Sequence, residues 1–463
     1  MHMNTGRRRT LCCAFLAAVG LLVVSAPFGK ARMMVVDADK REIYEKGMIQ
    51  HWDCVACTFS AGVVSQLKQL HNVSARGALH MFCGFFSFKE DVLCRLASAV
   101  LFNRALSLID KNKSPDVVCQ LLSYCKNPEC HLFPRSNERT SVRNLQEYYG
   151  LQNAKTINIC KFIPQLCSLE SQLHPHYDSD DDLFSTHSTR RGSDWRGRDC
   201  DDKNPAVFPG RNTLDAVKDE NCNGIYGVDK ETGKTYEEMW CASSGAMGVI
   251  AVGDSVTAHF GIPEDFVMVS KLSADGFANF THILENELDW PMLSSITGFA
   301  DASDYKPNRE GPMTSVYSKL LNMNRCNHRD YQNLGINGAT TEQLSEMMDL
   351  VARNRTQSVK PALLFLSMLG NDVCARPPNV TTPEGYYRHL TAALEKADAR
   401  LPSGSHVLIS PVVDGRILYN AMHSRIHPIG SLDKDVTYAD FYNYLNCLDV
   451  SPCWGWLNTD EAV

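Results

Sequence analysis

The chain has 463 residues, with 46 Lys and Arg against 53 Asp and Glu, a net charge of −7. That length exceeds one simple core, so two or more domains are expected. The acidic balance gives no electrostatic case for binding nucleic acid.

Residues 1–26 read as a secretory signal peptide. Arg7 to Arg9 form a basic start, and Leu11 to Val24 an apolar stretch too short to span a bilayer comfortably. Val24 and Ala26 give a small-residue cleavage pattern; a signal anchor is the other reading. Cys12 and Cys13 lie in this leader, which leaves sixteen of the eighteen cysteines. An even number in a secreted context points to disulfides rather than metal thiolates. N-x-S/T sequons at Asn72, Asn112, Asn279, Asn354 and Asn379 agree with the secretory pathway. The expected location is secreted, with lysosomal or vesicular compartments also open.

From Asp53 to Cys130 the pattern is helical and rich in cysteine. Val55, Phe59, Val63, Leu67 and Leu70 recur at spacings of four and three, an apolar stripe on one helix. Leu93, Leu96, Ala97, Val100, Leu101 and Leu108 repeat the habit, and Ser114-Pro115 marks a helix start. These stripes describe the core of a small helical bundle. The cysteines run as C-x-x-C at Cys54 and Cys57, a central pair at Cys83 and Cys94, and C-x5-C at Cys119 and Cys125. Spacing alone does not choose among the fifteen connectivities of six cysteines.

The set resembles the saposin-like family. The resemblance implies pairing of Cys54 with Cys125, Cys57 with Cys119, and Cys83 with Cys94. It also implies that residues 50–130 are a small all-α lipid-binding domain that contacts a membrane or micelle surface; a propeptide-like folding aid is the alternative. Eight basic against six acidic residues in this stretch suit a lipid with anionic headgroups. Cys130, Cys160 and Cys167 fall outside the set, and one of them is a candidate tie to the remainder of the chain.

Residues 131–240 read as a linker that carries an Asp/Asn-rich region. His174 to Arg198 is polar and a candidate for proteolytic nicking. Asp178, Asp180 and Asp182 alternate, as a hard cation with six to eight oxygen ligands requires, although Leu183 stands where a calcium loop wants glycine. Asp199, Asp201, Asp202 and Asn204 follow, then Asp219, Asn221, Asn223 and Asp229, with Cys200 and Cys222 placed to staple the two halves. Calcium is the expected cofactor; a solvated acidic loop is the other reading.

Residues 245–463 alternate strands and helices, as a doubly wound sheet does. Strands are expected at Gly248–Val252, Tyr331–Ile336, Pro361–Leu369 and His406–Val413, and helices at Thr341–Ala352 and Tyr386–Ala399. Each strand ends in small or polar residues, where open α/β sheets assemble their chemistry. The first runs into Gly253-Asp254-Ser255, the second into Asn337-Gly338, the third into Gly370-Asn371-Asp372. Ser255 is the candidate nucleophile, with a helix N-cap as its other reading. The Gly338 N–H and the Asn371 amide are candidate oxyanion donors, although Asn371 alone also reads as a turn residue.

This ordered set resembles the GDSL, or SGNH, hydrolases. The resemblance implies an α + α/β protein: the saposin-like domain, then an α/β/α flavodoxin-like domain that works as a serine esterase. The layout, including W-R-G-R-D-C from Trp195, N-C-N-G-I-Y-G-V-D from Asn221 and L-G-N-D-V-C from Leu369, runs nearly end to end. It is similar to that of lipases that remove secondary, ester-linked fatty acyl chains from the lipid A of bacterial lipopolysaccharide. This likeness implies bound calcium, and processing into disulfide-linked small and large subunits.

One departure stands out. The family takes its general base from a D-x-x-H block, and none of the fifteen histidines has Asp three residues before it. The expectation is that the base, the last strand and the last helix lie beyond Val463. The chain as written is then expected to fold poorly and to hydrolyse little. His423 and His427, downstream of Asp414, do not match the family spacing, and His259 reads as structural. The rival readings are a non-catalytic saposin-type lipid-binding protein and a general phospholipase.

Overall fold

The structure is a computed structural model that describes residues 38–86, 91–92, 94–95, 102–133, 173–241, 245–301, 313–376, 379–451 and 453–457. The leader at 1–26, Cys160, Cys167 and the stripe residues Leu93, Leu96, Ala97, Val100 and Leu101 lie outside the described residues.

The N-terminal module is helical. Helix α1 (Ala38–His71) buries Val55, Phe59, Val63 and Leu67 and leaves Leu70 exposed, so the stripe ends one turn early. Helix α2 (Ala75–Cys83) starts at Ser74, whose hydroxyl accepts the Gly77 N–H at 3.1 Å. Helices α3 (Asn103–Asp110) and α4 (Pro115–Leu121) close the bundle. Ser114 occupies the cap position before Pro115 but makes no side-chain bond there. Disulfides join Cys54 to Cys125, Cys57 to Cys119 and Cys83 to Cys94.

The large domain is built on four parallel strands: β1 (Gly248–Gly253), β2 (Tyr331–Gly335), β3 (Ala362–Ser367) and β4 (His406–Ser410), in the order β2-β1-β3-β4. β1 is buried along its whole length, as its continuous apolar run requires. Along β4, His406 to Ile409 are exposed. Helix α5 (Tyr236–Cys241) precedes the sheet. Helices α6 (Ser255–Ala258), α7 (Glu264–Val267), α8 (Ala274–Phe277), α9 (Phe280–Glu285) and α10 (Val316–Met323) fill the crossover from β1 to β2. Helices α11 (Leu344–Asp349) and α12 (Pro383–Arg400) follow β2 and β3; the expected helix at 341–352 opens instead as a 3₁₀ turn at Thr341–Gln343. Helices α13 (Arg416–Met422) and α14 (Tyr438–Cys447) follow β4. No helix among the described residues is long and apolar enough to cross a membrane.

The two domains share one hydrophobic core. Phe277 on α8 is ringed by Phe82 at 5.8 Å and Phe86 at 5.0 Å from the helical module, and by Phe266 at 4.9 Å and Phe280 at 5.4 Å from its own domain. Gln66 donates to the Ile429 carbonyl at 2.6 Å, and the Tyr444 hydroxyl donates to Thr58 at 2.9 Å. Cys130 bonds to Cys447 and is therefore the covalent tie.

The polar stretch at 174–198 is not a loose linker. Its end runs beside β2: Asn333 N–H donates to the Trp195 carbonyl at 2.7 Å, and Gly197 N–H to the Tyr331 carbonyl at 2.9 Å. Trp195 is buried under the Arg191 guanidinium, 3.5 Å from the ring, and Arg191 pairs with Glu287 at 2.8 Å. Average polarity concealed two large side chains that anchor the whole segment.

Phe277→Ala is expected to destabilise the protein by about 3–5 kcal/mol, because it opens a cavity between the domains. Denaturant unfolding of the two proteins, followed by near-UV signal, checks this.

Candidate active site

Three loops meet at the carboxyl ends of the strands. The register sets Gly253 opposite Gly335 on one side and Ser367 on the other. A Cβ at Gly253 would collide with Thr257 and the Ser367 carbonyl, and one at Gly335 with the backbone of Ala258. These two glycines let α6 lie directly on the sheet, with Ser255 at its start.

Asp254, not Ser255, caps that helix. One carboxylate oxygen accepts the Val256 N–H at 3.0 Å, and the other accepts the Leu369 N–H at 2.7 Å, across to the loop after β3. Burial raises the Asp254 pKa, and the hydrogen bonds from Leu369 and Val256 oppose the rise. The Ser255 hydroxyl is thus left out of the capping role, and the residue is half-buried at the surface of the loop.

The loop after β2 is bonded to the first, with Ile336 N–H donating to the Gly253 carbonyl at 3.0 Å. Gly338 has φ +78°, the left-handed region that favours glycine. Asn337 beside it is buried and donates from its amide to the Asp289 carboxylate, at 3.0 and 3.1 Å to the two oxygens. Asp289 has its pKa raised well above the usual range, chiefly by burial and then by Glu287.

The loop after β3 completes the set. Asn371 donates from Nδ2 to the Ala339 carbonyl at 2.9 Å. An amide nitrogen carries two hydrogens, so this bond fixes the rotamer and leaves one hydrogen to offer. Asp372 accepts the Thr341 hydroxyl at 2.6 Å and its N–H at 3.0 Å. Direct hydrogen bonds therefore join the loops that carry Ser255, Gly338 and Asn371, all three of them part-exposed.

No histidine is hydrogen-bonded to the Ser255 hydroxyl among the described residues. His427 lies in the domain interface, stacked on Phe441 at 4.1 Å and edge-on to Phe59 at 6.5 Å. Burial pushes its pKa down to about 3. His423 donates to the Tyr419 carbonyl at 2.7 Å and stacks on that ring. His259 ends α6 with φ +60°, and its carbonyl accepts the Trp290 N–H at 3.2 Å.

The acidic segment forms a second centre. The carboxylates of Asp178, Asp180 and Asp182 converge within 4.8 Å of one another. Asp199 and Asp202 are near enough to perturb them. Leu183 takes the left-handed conformation, φ +76°, that glycine would adopt, and donates its N–H to Asp178 at 2.9 Å. Burial, reinforced by the neighbouring carboxylates, pushes Asp182 up to about 8 and Asp199 up to about 6. Both Asp180 oxygens and one each of Asp182 and Asp199 are buried without a hydrogen-bond partner. Carboxylates crowded in this way fit a hard cation. Cys200, bonded to Cys222, offers no thiolate.

The remaining candidate ligands make hydrogen bonds of their own or face solvent. Asp201 and Asn204 are exposed. Asp219 accepts the Asn223 and Gly224 N–H groups, and the Asn221 and Asn223 amides donate to Glu237. Asp229 turns away from the cluster and caps its own turn at Glu231 and Thr232. Glu237 and Asp215, both buried, hold this second loop together, and no local pattern marks either.

A saposin-like helical module, a parallel sheet and a Gly-Asp-Ser loop joined to an Asn-bearing loop define a GDSL-type lipid hydrolase. Family models agree: a saposin-like domain matches residues 53–173, a GDSL-like lipase/acylhydrolase matches 249–453, and a metal-binding motif matches 199–226. The acyloxyacyl hydrolase of Oryctolagus cuniculus is 38% identical over 442 residues, which covers 89% of this chain and 75% of that protein. Those of Homo sapiens and Mus musculus are each 36% identical over 435 residues, with the same shares covered. The chain belongs to the acyloxyacyl hydrolase family.

Asp254→Ala leaves two backbone N–H groups without partners, and is expected to cost about 2–4 kcal/mol of stability. Urea unfolding measures it, with Asp254→Asn, which keeps one acceptor oxygen, expected to fall in between.

Proposed function

We propose that this hydrolase uses Ser255 to remove secondary, ester-linked fatty acyl chains from the lipid A of bacterial lipopolysaccharide. The Ser255 oxygen attacks the acyl carbonyl carbon and gives up its proton to a base. The carbonyl electron pair moves onto oxygen, where the N–H groups of Ser255 and Gly338 and the second Asn371 amide hydrogen receive it. Collapse expels the hydroxyl-bearing remainder of the lipid, which takes the proton. Water then repeats the sequence, frees the fatty acid and restores the hydroxyl. The observation that carries this reading is the hydrogen bonding of Asn371 to Ala339, which aims one amide hydrogen and binds two of the three loops.

The sequence shows no base of the family type. It contains no D-x-x-H pair, and both His423 and His427 are engaged elsewhere. In another serine hydrolase, loss of the histidine costs on the order of 10⁶ in rate. The second reading, a non-catalytic saposin-type lipid-binding protein, draws on the same observation. A long-chain fluorophosphonate decides between them. We expect covalent labelling at Ser255, found by peptide mass, accelerated by added imidazole and abolished in Ser255→Ala. Lipopolysaccharide binding without any labelling supports the second reading, and faster turnover of phospholipid than of lipid A removes the proposed substrate.

Calcium is the proposed cofactor, held by Asp178, Asp180, Asp182, Asp199 and Asp202. Bound there, the cation would neutralise carboxylates that otherwise repel one another. The leader and the disulfides support a secreted, lysosomal or vesicular setting. Processing into small and large subunits is also proposed; any single cut between Cys130 and Cys447 leaves the pieces joined by their disulfide.

The raised acids carry a pH signature. Without cation, Asp182 and Asp199 hold protons in the folded chain to about 8 and about 6, against an ordinary value of 3.8. The folded state then binds more protons than the unfolded one, so stability falls as pH rises from about 4 to about 8. Melting temperatures in chelator should show this decline, and calcium should flatten it. A metal-free protein whose stability rises over that range would overturn the assignment.

A further inference from the structure

Near the end of the described residues, Cys453-Trp454-Gly455-Trp456 carries two tryptophans that the reaction scheme leaves unused. Cys453 bonds to Cys374, three residues past Asn371, and Trp454 N–H donates to the Cys374 carbonyl at 2.6 Å. The Arg376 guanidinium covers the Trp454 ring at 4.6 Å. Trp454 is thus spent on anchoring. Trp456 is carried onward, onto the site.

Two glycines receive its ring. A Cβ at Gly370 would come within 2.8 Å of the Trp456 indole, and one at Gly415 would collide with the same ring. Gly370 lies between Leu369, which is bonded to Asp254, and Asn371, which is bonded to Ala339. Gly415 belongs to the loop after β4, and that loop is tied to the first by the Val413 N–H, which donates to the Leu369 carbonyl at 2.9 Å. The indole therefore bridges the loops after β3 and β4, next to the residue proposed to hold the oxyanion. Trp456 is only half-buried.

The loops at this end also expose aliphatic side chains. Val256 follows Ser255 and is 59% exposed; Val373, two residues past Asn371, is 41% exposed. Val413 and Ile417, which flank Gly415, are 44% and 68% exposed. Apolar residues exposed beside a polar centre suit a substrate with a polar ester and a long hydrocarbon chain.

We propose that Trp456 is a specificity-determining residue whose indole forms a wall of the fatty acyl chain subsite, on the β3–β4 side of Ser255. The proposal rests on the reading of Ser255 as nucleophile for the location of the ester. Its ligand, a long hydrocarbon chain, is read from the apolar rim. The indole stacks along the chain and fixes which length of acyl group reaches the carbonyl position. Aromatic side chains bury about 150–250 Å² in such contacts, enough for one ring to dominate chain binding.

The test measures binding and needs no turnover. A long-chain fatty acid brominated at mid-chain is titrated into the full chain, with the unbrominated acid as control, and tryptophan emission is followed. We expect bromine-dependent quenching, lost for the most part in Trp456→Phe, retained in Trp454→Phe, and retained in Ser255→Ala, which removes the nucleophile alone. Trp456→Ala should weaken binding of the unbrominated acid on the order of tenfold, and Trp456→Phe by less. Melting temperatures establish that each variant is folded. Quenching that is undiminished in a folded Trp456→Phe protein, or absent from the parent chain, overturns the proposal. Failure of the nucleophile reading would appear separately, as the absence of fluorophosphonate labelling at Ser255.

Discussion

One buried carboxylate holds the site together. Asp254 spends one oxygen on the start of α6 and the other on the chain after β3. The first bond sets the helix that begins at Ser255; the second fixes the distance to the loop of Asn371. A residue that caps a helix within its own turn is ordinary. A cap that also spans two parallel strands converts a local preference into a tertiary restraint. Asp372 does the same for the loop after β2, through Thr341, so each strand end is bonded to the next. The aspartates next to the proposed catalytic residues do the positioning, while Ser255 and Asn371 remain part-exposed.

The helical module is as firmly fixed as the loops. Its aromatic residues share a core with α8 and α9, its Thr58 and Gln66 bond to residues beyond β4, and a disulfide closes the arrangement. A module that was free to tumble would need only a tether. The rings around Phe277 instead order both domains in a single core, so the helices keep a constant position relative to the sheet. His427 belongs to this interface; packed against Phe59 and Phe441, it is kept neutral and is part of the packing rather than of the chemistry.

Much of this was legible in the chain. Continuous apolar runs marked β1 and β3, because strands buried on both faces leave little room for polar residues. Small residues after each strand marked the loops. Periodicity marked α1, and failed only at Leu70, where the stripe runs past the partner surface. What escaped was held by long-range contact. Asp289 and Asn337 are 48 residues apart and nothing local couples them. The segment at 174–198 was hidden for another reason: composition averages over the window, while a few side chains, among them Phe184, Arg191, Trp195 and Arg196, are buried. Asp229 misled in the opposite direction, since an Asp at the start of a turn resembles a ligand in sequence and serves its own backbone in space.

Strand β2 links the two centres. At its start, the Tyr331 carbonyl accepts from Gly197, at the end of the acidic segment; at its other end, Gly335 lets α6 approach. Beneath the acids, the Arg196 guanidinium is buried and bonded to the Leu350 carbonyl at 3.0 Å and to Gln332 of β2 at 3.4 Å. Burial pushes its pKa down to about 9, so it remains the cation on which the cluster leans. Crowded carboxylates with unpartnered oxygens press outward unless they are protonated or neutralised by a cation. The bonds of Trp195 and Gly197 to β2 hold this segment against a strand whose far end, at Gly335, packs on α6. The acidic segment is therefore built against the same sheet that carries the loop of Ser255.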